Sequence, residues 1–222
     1  MAVALMDVYR RLFEAYGPRH WWPGETPFEV TVGAILVQNT NWANVAKTID
    51  QLREDGLLSP RKLYALPEEE LQERIRSCGY FRLKAKRLRN LLRVCVEEFD
   101  GSLEAMFDQS IESLRETLLS INGIGPETAD SIILYAAEKP TFVVDTYTLR
   151  VLARHGWIEP EADYHTLKAF FEDQLEPDVG LYNEFHALFV EVGKNHCGKR
   201  PRCEGCPLAE MLPDGGPYEA LR

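Results

Sequence analysis

The sequence predicts an all-α protein on three observations. Apolar residues recur at helical spacing along most of the 222 residues. Convincing alternating strand patterns are absent, and the helical stretches stop where Gly, Pro and Asn cluster. Residues 4–16 alternate apolar and charged side chains and end at Gly17-Pro18. After Pro23-Gly24 come helices at 28–37 and 42–54, the second broken at Gly56. Shorter helices at 60–64 and 67–77 lead to Gly79, and a long one at 82–99 runs to Gly101. Further stretches fall at 111–120, 126–137, 145–154, 164–174 and 181–194. Val143-Val144 is too short to carry a sheet, and the tail after Pro213 reads as loose.

Composition sets the outer bounds. At 222 residues and 45% hydrophobic content the chain can bury a sizeable core as one large domain or two small ones. No apolar run approaches the ~18–20 residues that span a bilayer. The first residues hold no signal-peptide core, so a cytoplasmic chain with reduced cysteines is expected. A net charge of −10 opposes nucleic-acid binding in bulk. Local charge counts for more, because phosphate attraction is screened beyond ~8–10 Å. Residues 82–93 hold six basic side chains and no acid, and 194–202 form a second basic stretch. The acids collect at 67–73, 97–100 and 159–163. A basic face on an acidic body is compatible with DNA.

The most informative segment is Ile121-Asn122-Gly123-Ile124-Gly125-Pro126, between two helical patterns, with Asp145 about twenty residues on. Gly123 and Gly125 can take positive φ and let the backbone approach another surface. Pro126 suits the first helical turn, and the amides there form an anion site of the kind that holds phosphate. Asp145 either caps the helix that follows or places a carboxylate for chemistry; one aspartate can do both.

The hairpin, the VVDTYTLRVLARHG that follows and the late cysteines resemble the helix-hairpin-helix (HhH-GPD) DNA glycosylases of the endonuclease III type, from about Thr26 to Cys206. The resemblance implies two helical lobes, one of residues 25–139 bearing the hairpin, the other of 1–24 plus 140–222. The active site is then expected in the cleft between them. It implies Asp145 as the catalytic carboxylate, and Gly123, Gly125 and Thr128 on DNA together with Lys84 and Lys86 of the basic run. Gln38 matches the position that fills the gap left by a flipped nucleotide, and Tyr80 the wedge against the opposite strand. Bifunctional members carry a lysine two residues after the second hairpin glycine; here stands Glu127. A carboxylate cannot form a Schiff base with a ring-opened sugar, so a monofunctional enzyme is expected.

Trp21, Trp22, Pro23 and Trp42 flank Gln38-Asn39-Thr40. Aromatic faces sandwich an extruded base and favour a cation, and an N-alkylated purine such as 3-methyladenine is a cation and a weakened glycoside. The WWP and QNTNW patterns resemble the 3-methyladenine glycosylase branch, with Lys194 as a further pocket residue. Cys197-x5-Cys203-x2-Cys206 resembles an iron–sulfur loop and implies a [4Fe–4S] cluster, but its fourth ligand would fall at Leu212. A metal-free remnant and zinc are the alternatives. The expected partner is double-stranded DNA with a damaged base, bound by a monomer and without a membrane. The rivals are a mismatch thymine/uracil or endonuclease III-like glycosylase, and a non-catalytic helix-hairpin-helix DNA-binding protein.

Overall fold

The computed structural model describes residues 3–218. Among these the regular structure is helical, and the one isolated bridge pairs Cys197 with Pro201. The all-α expectation is met. The chain divides into two compact units, Trp22–Lys139 and the remainder, in which the stretch up to Trp21 joins the chain from Pro140 onward.

In chain order the helices are α1 (Leu5–Tyr16), α2 (Pro27–Leu36), α3 (Trp42–Glu54), α4 (Pro60–Ala65), α5 (Glu68–Arg74) and α6 (Phe81–Glu98). They continue with α7 (Leu103–Phe107), α8 (Ile111–Ser120), α9 (Pro126–Ser131), α10 (Thr146–Arg154), α11 (Tyr164–Glu172) and α12 (Val179–Asn195). The short α7, capped by Ser102, is absent from the sequence reading because five residues give too little periodicity. The predicted 67–77 helix ends at Arg74 and tightens into a 3₁₀ turn at Arg76–Cys78.

In the Trp22–Lys139 unit α2 is the central rod. Every residue from Phe28 to Leu36 is buried, including Glu29 and Thr31, as befits a helix apolar on all sides. Thr26 caps it and Pro27 takes its first position. It packs against α3, α6, α9 and the π-helical turn at Ile132–Ala136 that ends α9. Arg53 of α3 reaches back to Glu29 at 2.9 Å, and Glu29 also accepts the Glu25 amide at 2.8 Å, which braces the entry to α2.

In the other unit α12 packs on α10 and α1. Its core is aromatic: Phe142 stacks on Phe171 at 4.0 Å, and Tyr182, Phe185 and Phe189 complete the cluster. The extended residues 141–144 are buried without strand pairing; Glu172 accepts the Phe142 amide at 2.7 Å instead. Of the tail expected to be loose, residues 219–222 lie outside the described residues. The Tyr218 amide donates to the Arg154 carbonyl at 3.0 Å, and its ring covers Gly156, where a Cβ would fall 2.6 Å from Cε2.

Candidate active site

The hairpin follows from local chemistry. Ile121 and Ile124 bury their side chains and pin the two arms, with the Ile124 amide on the Ile121 carbonyl at 3.0 Å. Gly123 sits at φ 102°, and a Cβ there would lie 2.3 Å from Arg87 Cγ, so both conformation and space demand glycine. Gly125 is exposed and precedes α9, whose first amides receive no side-chain cap from it. A phosphate-sized anion suits such an end. Glu127 stands exposed in that first turn.

Residues far apart in sequence meet here. Gln38 Nε2 donates to Thr128 Oγ1 at 2.9 Å and to the Gly123 carbonyl at 3.3 Å, and Arg87 Nη1 donates to Gln38 Oε1. Arg87 is missing from the sequence reading, since nothing in a basic run distinguishes the residue that turns inward. Thr128 is buried, and its hydroxyl oxygen accepts from Gln38. One expectation is corrected. Lys84, expected on phosphate, is 1% exposed, and its ammonium donates to the carbonyls of Leu36 and Cys78 at 2.8 and 2.7 Å. It lies on the inner face of α6, whereas Lys86 is exposed. Tyr80 is 71% exposed and left-handed, at φ 44°.

Trp22 meets Trp42 edge-on at 5.2 Å and Tyr135 at 5.3 Å. Gly33 makes room for them: a Cβ there would lie 3.1 Å from Trp42 Cη2 and 3.4 Å from Trp22 Nε1. Tyr135 comes from the π-helical turn and was not anticipated, because a one-residue bulge leaves no mark on helical periodicity. Pro23 is exposed. In the other unit, Lys194 is exposed, with its ammonium 5.8 Å from the Trp21 ring centroid.

Asp145 closes the extended stretch and opens α10. Its Oδ1 accepts from the Thr148 amide at 2.8 Å and hydroxyl at 3.0 Å, and Thr148 reaches back to the Asp145 amide, a capping box. Oδ2 faces His186 Nε2 of α12 at 3.7 Å. Burial alone raises the Asp145 pKa, but His186 and the Thr148 bonds outweigh it and hold the carboxyl below the ordinary aspartate value. α12 comes this close because Gly193 admits the Tyr147 ring, where a Cβ would fall 2.4 Å from Cδ1. His186 is also missing from the sequence reading, since a single histidine in an apolar helix carries no pattern.

Cys197, Cys203 and Cys206 line one small cavity of about 20 Å³, and Leu212, at the expected fourth-ligand position, lines it too. Arg154 donates to Cys197 Sγ at 3.2 Å and to the Gly198 carbonyl at 2.7 Å. Among the described residues no group of three or more His, Cys, Asp or Glu stands close enough to hold a metal ion. The donor set falls one thiolate short of four-cysteine ligation, so a four-thiolate cluster does not fit these residues.

The described residues thus set a glycine hairpin before α9 and an aspartate cap before α10 in an all-helical fold. Residues 32–177 match the HhH-GPD superfamily of base excision DNA repair proteins, and the chain belongs to that superfamily as a DNA glycosylase. It is 46% identical over 208 residues to a Methanocaldococcus jannaschii protein provisionally named a DNA repair glycosylase, covering 93% of this chain and 94% of the relative. It is 31% identical over 183 residues to endonuclease III of Thermotoga maritima, covering 82% and 80%. Among solved structures, the H. pylori 3-methyladenine DNA glycosylase bound to 1,N6-ethenoadenine superposes with a TM-score of 0.74 at 29% identity, over 86% of this chain and 98% of that one. No helix among the described residues is long and apolar enough to cross a membrane.

Proposed function

We propose that the protein is a monofunctional glycosylase that hydrolyses the N-glycosidic bond of cationic alkylated purines, of the 3-methyladenine type, in duplex DNA. The observation that carries the substrate class is the Trp22–Trp42–Tyr135 cluster, built around the missing side chain of Gly33. Such faces attract a delocalised cation by about 0.5–2 kcal/mol per contact. The similarity to a 3-methyladenine glycosylase supports the same class. Asp145 stabilises the oxocarbenium character on the sugar and directs a water to C1′, while the C1′–N bond breaks. An alkylated purine leaves as a neutral base, so no general acid is required. The Gly123–Gly125 hairpin and Lys86 hold phosphate, the exposed Tyr80 enters the stack, and Gln38 follows by giving up its bonds to Thr128, Gly123 and Arg87.

Glu127 decides the outcome for the strand. Duplexes bearing single defined lesions, mismatched thymine and uracil included, should show free base and intact abasic strands until alkali is added. Borohydride trapping of an enzyme–DNA adduct would overturn the monofunctional reading, and release of thymine without alkylpurine would overturn the substrate class.

His186 should set the acid limit. The Asp145 pKa lies below its ordinary value, so the carboxylate keeps its charge, and catalysis by it persists, to lower pH than for an ordinary aspartate. His186→Asn removes the neighbour that favours the charged form. The acid limb of the base-release profile, corrected for uncatalysed depurination, should then move to higher pH. An unmoved limb would remove His186 from any tuning role.

A further inference from the structure

Among the described residues Lys84 is the one buried lysine, at 1% exposure, and its place is specific. Its ammonium donates to the Leu36 carbonyl at 2.8 Å and to the Cys78 carbonyl at 2.7 Å. Leu36 ends α2 two residues before Gln38, and Cys78 ends the 3₁₀ turn two residues before Tyr80. The Lys84 amide donates to the Tyr80 carbonyl at 3.0 Å as the first helical bond of α6, so the backbone of Lys84 follows Tyr80 while its side chain holds Cys78 just before it. The grip has work to do. Gly79 and Tyr80 take positive φ in succession, 67° and 44°, and a tyrosine in the left-handed region is strained. Asn39, beside Gln38, is also left-handed at φ 55°.

A carbonyl at a helix end attracts a cation, so the Leu36 contact is favourable by itself. A buried ammonium is nonetheless a costly way to satisfy two carbonyls, since burial pushes against its charge. A methionine of similar length would fill the same space without burying a charge, but it would leave the Leu36 and Cys78 carbonyls without this donor. What only the ammonium supplies is a fixed tie between the two backbones that carry Gln38 and Tyr80.

We propose that Lys84 is a positioning residue for base extrusion, tying the Gln38 and Tyr80 loops together so that both side chains enter the stack at one base pair. The inference rests on the reading of Gln38 and Tyr80 as stack-filling residues. Extrusion costs a few kcal/mol of unstacking and unpairing, least where the base is already unpaired. A residue that acts through the two plugs therefore matters for a paired lesion and little for an unpaired one.

The test uses the full chain and a methylated oligonucleotide with a single adenine, annealed so that the adenine faces either thymine or an abasic analogue. Released 3-methyladenine is counted under single-turnover conditions. Lys84→Met should lower release from the paired substrate about tenfold or more and leave the unpaired one within about twofold, since pairing and stacking are what the plugs overcome. Tyr80→Ala should show the same selectivity, and Lys84→Met combined with it should fall short of the product of the two losses. Equal losses on both substrates with a lowered melting temperature would make Lys84 a structural brace and overturn the inference. Should Lys84→Met fail to fold, Lys84→Gln, which keeps one donor, carries the same comparison. If Tyr80→Ala and Gln38→Ala themselves fail to distinguish paired from unpaired lesions, it is the plug reading that falls. Selectivity in those two variants without it in the Lys84 variants overturns only the tie.

Discussion

Asp145→Asn is expected to lower base release by about 100-fold or more, the scale on which a preorganised charge acts on a developing cation. Duplex affinity should stay the same or rise. The substitution is clean because the two carboxylate oxygens are used differently. Oδ1 caps α10 through the amide and hydroxyl of Thr148, while Oδ2 faces His186. Asparagine caps a helix about as well as aspartate, so the variant keeps the cap and loses the charge. Its melting temperature should remain near that of the native protein. Asp145→Ala, by contrast, should also lose roughly 0.5–2 kcal/mol of stability with the cap. Single-turnover release from methylated duplex, with binding measured on undamaged DNA, separates the two effects. Native rates in Asp145→Asn would reduce the carboxylate to a helix cap.

The same residues show what a sequence can and cannot disclose. The helices were legible because periodicity and punctuation are local: Thr26-Pro27, Asn41, Ser110 and Asp163 each start a helix with a side-chain cap. The hairpin was legible for the same reason, as the glycines and Pro126 are neighbours. The inward place of Lys84 is not legible, because a basic side chain carries no sign of which face it occupies. Only the packing of α6 beside the end of α2 turns one lysine inward and leaves Lys86 exposed. His186, Arg87 and Tyr135 went unseen for a related reason. Each gains its meaning from a partner 41, 49 or 113 positions away, at Asp145, Gln38 and Trp22. Cys197, Cys203 and Cys206 line one cavity, yet their spacing says nothing of what Leu212 contributes to its wall.

Trp22→Ala and Trp42→Ala should each reduce excision of cationic alkylpurines by roughly 5- to 150-fold, the equivalent of the ~1–3 kcal/mol that an aromatic–base stack is worth. Binding of undamaged duplex should hardly change, because only an extruded base meets these rings. The larger loss is expected at Trp22, which touches both Trp42 and Tyr135. Phenylalanine at either position restores a π-face and should recover much of the activity, which a purely volumetric role would not favour over leucine. The comparison matters because the same contacts could belong to an ordinary core. A core role lowers melting temperature and activity together, on every lesion and for leucine and phenylalanine alike. A base pocket instead separates them by substrate charge. The cation–π part of the attraction vanishes for a neutral base while the stacking part persists. Excision of a cationic purine should therefore depend on Trp22 and Trp42 more steeply than any residual action on a neutral one. Equal dependence on both would place the selectivity elsewhere than in these rings.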